Sequence, residues 1–203
     1  FRMFSSGETE SSCYQCLAKN STSSDFGAFF SVPLIIQCIA YDSRIGFDNS
    51  SVTATAYNCG AYNCSVEGFG GSGGGTTTYN CWALSNGENW NIGWTFNGTA
   101  SNNASSSTDA PGTDPVNNIT SAEFVDAANY DFHLVSGSSL IGAGVNLSSD
   151  FTTDIDGDTW PSTGAWDIGY DYFVSVATIP TLSLPGVTEI GSTTVRPQVT
   201  LTF

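Results

Sequence analysis

The chain has 203 residues, and its 4 Lys and Arg against 19 Asp and Glu give a formal net charge of −15, which excludes a basic nucleic-acid binder. Ser, Thr, Asn and Gly supply 28, 23, 15 and 22 residues, a balance that suits short strands and polar turns rather than long helices. A hydrophobic fraction of 40% is too high for a disordered chain, and the longest apolar run, Gly27 to Ile36, is broken by Ser31 and Pro33 short of the ~18 residues of a membrane span.

From its first cysteines the chain repeats itself. Gln15-Cys16-Leu17-Ala18, Gln37-Cys38-Ile39-Ala40, Asn58-Cys59-Gly60-Ala61 and Asn80-Cys81-Trp82-Ala83 place their cysteines 22, 21 and 22 residues apart. Tyr14, Ile36, Tyr57 and Tyr79 precede them by two residues, and Phe26, Phe47, Phe69 and Trp90 follow at spacings of 21, 22 and 21. Self-similarity at this period marks a solenoid. Leucine-rich repeats share the period, but this chain lacks their leucines, whereas Val52 to Ala61 and Thr76 to Ala83 read as strands. The pattern predicts an all-β parallel β-helix whose coils stack at about 4.8 Å.

Period-two alternation predicts that Tyr79, Cys81 and Ala83 face inward and Asn80 and Trp82 outward. Stacking like on like then makes a cysteine column from Cys16, Cys38, Cys59 and Cys81 and an aromatic column from Phe26, Phe47, Phe69 and Trp90. Asn20, Asp42, Asn63 and Ser85 fall in a polar turn. The outer rows, Leu17, Ile39, Gly60 and Trp82, then Lys19, Tyr41, Tyr62 and Leu84, are apolar enough to need a cover. A lateral partner subunit, a packed tail and a sugar-stacking face all meet that need, and Tyr41, Tyr62 and Trp82 are the candidate glycan-binding residues.

Stacked cysteines on neighbouring coils stand about 4.8 Å apart, wider than the ~3.8 Å Cβ separation of a disulfide, so the ladder is expected to hold free thiols packed as small hydrophobes. Cys13 and Cys64 lie off the ladder. Cys13-x-x-Cys16 has the spacing of a metal or redox pair, but no second such pair exists and the single histidine, His133, is far away in sequence.

Further along, Asn102-Asn103-Ala104-Ser105, Phe124-Val125-Asp126 and Asp131-Phe132-His133-Leu134 read as closing coils. Ser136 to Gly144, Asp154-Ile155-Asp156-Gly157-Asp158-Thr159-Trp160-Pro161 and Trp166-Asp167-Ile168-Gly169 come next. With the coils before them, these segments resemble right-handed parallel β-helix proteins of the pectate-lyase-like superfamily, common among phage virion proteins and secreted bacterial surface proteins. They match its C-terminal capping pattern, S-P-x-I-D-A-G, D-x-D-G-x-x-R-P and D-I-G-A-x-E. The chain departs from the pattern at Leu140 for the proline, Gly142 for the aspartate, Trp160 for the arginine and Asp171 for the glutamate. The expected organisation is coils over residues 1–130, a closing coil and cap over 131–173, and a Pro-punctuated tail over 174–203. That tail ends in the alternating strand Val199 to Phe203, which reads as an incomplete immunoglobulin-like module or an assembly strand.

For chemistry, Asp154, Asp156 and Asp158 alternate along one turn. This suits either a calcium ion, the only cofactor the sequence suggests, or a capping turn whose aspartates accept backbone amides. Polysaccharide lyases and hydrolases need a basic residue or clustered carboxylates. Only Arg2, Lys19, Arg44 and Arg196 are cationic, and between Ser11 and Asn103 the acids are few, Asp25, Asp42, Asp48, Glu67 and Glu88, with only the last two 21 residues apart. No catalytic residue is assigned. The expected function is a non-enzymatic, extracellular structural or adhesive protein: a virion head fibre, decoration protein or tail spike, or a bacterial adhesin. It is expected to assemble with its own copies or with other surface proteins through the segment from Pro180, with a glycan as candidate ligand. A secreted polysaccharide lyase or glycoside hydrolase is the alternative.

Overall fold

The computed structural model describes residues 12–19, 27–49, 53–71, 76–91 and 100–175. Asn20, Phe26 and residues 176–203, with the proposed assembly strand, lie outside the described residues.

Each full coil uses three short strands. β1 (Ser12–Tyr14), β2 (Leu17–Lys19) and β3 (Phe29–Phe30) are followed by β4 (Leu34–Ile36), β5 (Ile39–Tyr41) and β6 (Ile45–Asp48). The pattern repeats in β7 (Ala54–Tyr57), β8 (Gly60–Tyr62) and β9 (Glu67–Gly70), and again in β10 (Thr76–Tyr79), β11 (Trp82–Leu84) and β12 (Glu88–Trp90). β13 (Ala100–Ser101), β14 (Ala104–Ser105) and β15 (Val116–Asn117) end the stack. Equivalent strands pair in parallel in three sheets, ordered β1-β4-β7-β10-β13, β2-β5-β8-β11-β14-β15 and β3-β6-β9-β12. The register Leu17, Ile39, Gly60, Trp82 steps by 22, 21 and 22 residues, the period of the cysteines. The fold is a parallel β-helix.

The first corner of each coil passes through the left-handed region at Gln15, Gln37, Asn58, Asn80 and Asn102, with φ between 50° and 55°. Asn, with its short polar side chain, tolerates this conformation well, and Gln15 and Gln37 are held at their corners by bonds to the carbonyls of Asp154 and Thr153. The corner also corrects the expected facing of the aromatic residues. Alternation does not carry through a left-handed residue, so Thr78 and Cys81 are buried in the coil interior while Tyr79 lies on the outer side of its sheet. Tyr57 follows the same rule, and Cys13, on the strand before its corner, points inward with Ile35 and Ala56.

Inside, Cys38, Cys59 and Cys81 are fully buried over a column of Ala40, Ala61 and Ala83. Each thiol donates to the carbonyl two residues earlier: Cys38 to Ile36 at 3.3 Å, Cys59 to Tyr57 at 3.2 Å and Cys81 to Tyr79 at 3.3 Å. Cysteine therefore fills a small volume and satisfies a corner carbonyl together. All six cysteines are free. Asn103 takes the next position in the column, accepting the Cys81 amide at 3.1 Å and donating to the Thr78 carbonyl. Cys64 belongs to a parallel column at the second corner, between Ser43 and Asn86. Its amide donates to the Asn86 side chain at 2.8 Å.

The aromatic column is a stack of parallel rings, Phe29 on Phe47 on Phe69 on Trp90, with centroids 4.9, 4.6 and 4.2 Å apart. The rung below Phe47 is thus Phe29, since β3 pairs Phe29 with Phe47 in register, and not the Phe26 expected from the period.

After β15 the chain leaves the coils and folds back along their flank. A 3-10 turn (Ser121–Glu123) leads into β16 (Phe124–Asp126), and a second (Ala127–Asn129) joins it to its antiparallel partner β17 (Asp131–Leu134). Phe124, Phe132, Leu134, Leu140, Ile168 and Tyr170 then bury the outer row of the second sheet around Trp82. Leu147, Trp160 and Trp166 cover Tyr57 and Tyr79 on the first sheet. Trp160 stacks on Trp166 at 4.6 Å, with the rings 16° from parallel.

Two outcomes follow from this packing. Cys59 and Cys81 should resist thiol reagents in the native protein, and six thiols should titrate in denaturant; burial pushes the Cys59 thiol well above its ordinary value, which keeps it protonated and inert. Gly60 makes room for the Trp82 indole, whose ring atoms would lie 2.2 Å from an added Cβ. Gly60→Ala should therefore lower stability by about 1–3 kcal/mol in denaturant titrations, the usual scale of overpacking.

Candidate functional site

The closing segment gathers the chain's only histidine and several carboxylates onto the flank. In β17 the pattern buries Phe132 and Leu134 and turns Asp131 and His133 outward together. Asp131 Oδ1 meets His133 Nδ1 at 2.5 Å and also accepts the His133 amide at 3.2 Å. On the other side, His133 Nε2 lies 2.9 Å from Asp156 Oδ2. Asp171 completes the group, with its Oδ2 accepting the Leu134 amide at 2.8 Å.

Asp156 is presented by the turn that the sequence singled out. Asp154 is fully buried, and its Oδ1 accepts the amides of Asp156 at 3.0 Å and Asp158 at 2.8 Å, while Oδ2 accepts the Tyr172 amide at 3.1 Å. Gly157, at φ 91°, completes the turn. Asp154 thus accepts backbone amides on both sides of the turn. Asp156 points away from it to His133, and Asp158 is exposed. The three alternating aspartates do not converge on one point. Asp156 instead joins His133 and Asp171, one potential donor atom of each lying within 4.8 Å of the others.

Electrostatics in this group oppose one another. Burial pulls the His133 pKa down, but the Asp131 hydrogen bond and the charges of Asp171, Asp156 and Asp131 outweigh it and raise the imidazole above its ordinary 6.5. The His133 hydrogen bond holds Asp131 below 3.8. Burial pushes Asp171 up, against the Leu134 amide.

The expected sugar-stacking residues are placed differently. Trp82 does leave the coil on its outer side, but it is 0% exposed, tilted against Phe124 at 4.8 Å and Phe132 at 5.0 Å. Tyr41 packs on Tyr130 at 4.5 Å, and Tyr62 meets the edge of Phe132 at 5.3 Å. Lys19 sits 4.8 Å above the Tyr130 ring and 3.4 Å from Asp42, which also accepts the Tyr130 hydroxyl. A packed segment of the same chain covers Ile39, Trp82 and Leu84 of the outer rows.

A polar ladder fixes that segment in place. Gln15 and Gln37 donate to the carbonyls of Asp154 and Thr153, each at 2.8 Å. Asn58 donates to Gly169, and Asn102 to Ala143 at 2.7 Å. Asn80 exchanges two bonds of 2.8 Å with Val145 and accepts the Gly169 amide at 2.9 Å through its own carbonyl. Along the ladder, Asn80 bonds Asn58 and Gln15 bonds Gln37.

The sequence did not reveal the His133 group. Asp131-x-His133 on one strand face was a readable signal, but the approach of Asp156 and Asp171 comes from the fold alone. Comparison of the chain with protein-family models, curated proteins and solved structures returns no match. No helix among the described residues is long and apolar enough to cross a membrane.

The His133–Asp131 pair should contribute to stability between about pH 3.8 and 6.5. The contribution fades as pH rises through the raised His133 pKa, and also as pH falls through the lowered Asp131 pKa. An NMR titration should place His133 above 6.5, and Asp131→Asn should bring it down; a His133 pKa unmoved by that change would contradict the assignment.

Proposed function

We propose that this chain is a rigid, non-enzymatic β-helical module of an extracellular surface, serving as a stalk or adhesive element of a virion or a bacterial cell. The observation that carries the reading is the covered flank. Ile39, Trp82 and Leu84 of the apolar outer rows are buried by the chain's own closing segment, while Leu17 on the first coil stays exposed. The amide ladder ties that segment to successive coils at Gln15, Gln37, Asn58, Asn80 and Asn102, so bending the stack would break bonds on several rungs together. The preference for a virion, with attachment through the segment from Pro180, rests on the resemblance of the coils and closing motifs.

One observation favours a second reading, a glycoside hydrolase. Asp171, raised by burial, and Asp156, exposed, stand beside His133 as a carboxyl pair with different environments, the arrangement that separates an acid from a base. Against it, one Asp171 oxygen is engaged by the Leu134 amide.

Incubation with acidic and neutral polysaccharides, followed for reducing ends and for unsaturated uronates, distinguishes the two. The structural reading expects no turnover above that of Asp156→Asn. Turnover that Asp156→Asn abolishes would replace it with the hydrolase.

A further inference from the structure

At one level of the coil interior, three thiols meet. The left-handed corner at Gln15 turns the chain between Cys13 and Cys16 so that Cys13 is buried in the interior with Cys16 packed against the same cluster. Cys38 follows Cys16 in the ladder, one coil on, and is fully buried. One sulfur from each lies within 4.8 Å of the others. The spacing of Cys13 and Cys16 offered two ligands; stacking of the next coil supplies the third.

The rungs above do not repeat this. In register with Cys13 stand Ile35 and then Ala56, and Thr78 follows Ala56, so Cys59 and Cys81 face no thiol from the first sheet. Ala56 fills the same column position two coils on without a thiol. What alanine cannot do is complete a set of three sulfurs.

We propose that Cys13, Cys16 and Cys38 form a binding site for a thiophilic d10 metal ion, Zn(II) or Cu(I). Soft thiolates select these ions over the harder cations that carboxylates hold. Metal–sulfur bonds of about 2.3 Å bring tetrahedral sulfurs to roughly 3.8 Å from one another, so the three thiols need only close in modestly around an ion. Each ligating thiol releases its proton to solvent as its metal–sulfur bond forms, with no change in oxidation state. Cys16 is the least buried of the three and marks the side of entry. On that side an exogenous fourth ligand completes tetrahedral zinc, whereas three sulfurs suffice for Cu(I). The site is independent of the structural role proposed above.

The test uses the full chain, reduced and metal-free under anaerobic conditions. Titration with Cd(II) is followed by its thiolate-to-metal charge-transfer absorption in the ultraviolet, and Zn(II) and Cu(I) then compete for the site. A single ion per chain is expected, displaced by one of the two competitors. The absorption should be lost in Cys13→Ala and Cys16→Ser and kept in Cys64→Ala. Cys13→Ala places at this position the residue that Ala56 already provides in register, and circular dichroism checks that it retains the β-fold. Absence of the absorption, its survival in Cys13→Ala, or Cd(II) that neither ion displaces would overturn the proposal.

Discussion

At each first corner the chain enters the left-handed region at a Gln or Asn, and the rest of the molecule is arranged around that turn. The conformation is costly for most side chains and least so for Asn. Once adopted, it reverses which residues face inward. It brings a cysteine to the interior immediately after the corner, where the thiol reaches the carbonyl two residues back. It also leaves a row of side-chain amides along one edge of the stack, a coil apart. The same residue type thus sets the backbone, the core column and the line of donors on which the closing segment docks.

Docking combines two forces of different kind. The apolar rows around Trp82 and around Tyr57 and Tyr79 supply area, with buried aromatic and aliphatic side chains on both sides. Burial of this sort is strong but poorly directional. The amides supply register, because each reaches a particular carbonyl of the closing segment. A slip of one residue would break the bonds of Asn58 to Gly169 and of Asn80 to Val145, both side chains being fully buried, and unsatisfied buried polar groups are among the more expensive errors a fold can contain. The segment's hold on Asp154, and through it the presentation of Asp156 to His133, depends on that register.

The coil period and the cysteine column were legible because they repeat, and repetition in a solenoid maps directly onto neighbouring strands. Single events were not. Tyr79 was expected inward because alternation was carried across Asn80, where the backbone breaks it. Phe26 was expected below Phe47 because the period was extended into a coil that pairs Phe29 there instead. Trp82 was read as outward, which describes its side of the sheet, but its burial is decided by Phe124 and Phe132 some forty or more positions later. The His133 group depends on three separate stretches meeting across the flank, and the third thiol beside Cys13 depends on a neighbouring coil. Local pattern carries no information about either until the stack is built.

Asn103 in the cysteine column has a further consequence. A thiol there would extend the column unchanged, but Asn103 turns its amide to Thr78 and to the Pro111 carbonyl at 3.2 Å, and the strand that follows pairs Ala104 with Val116 after only 12 residues. The repeat length is broken at the edge where another copy would have to match it. Among the described residues the three sheets end on this side in β13 and β15, of two residues each, and β12, of three, and short edges are poor templates for runaway polymerisation. The stack has a written terminus on this side, which separates a rod of defined length from a fibre.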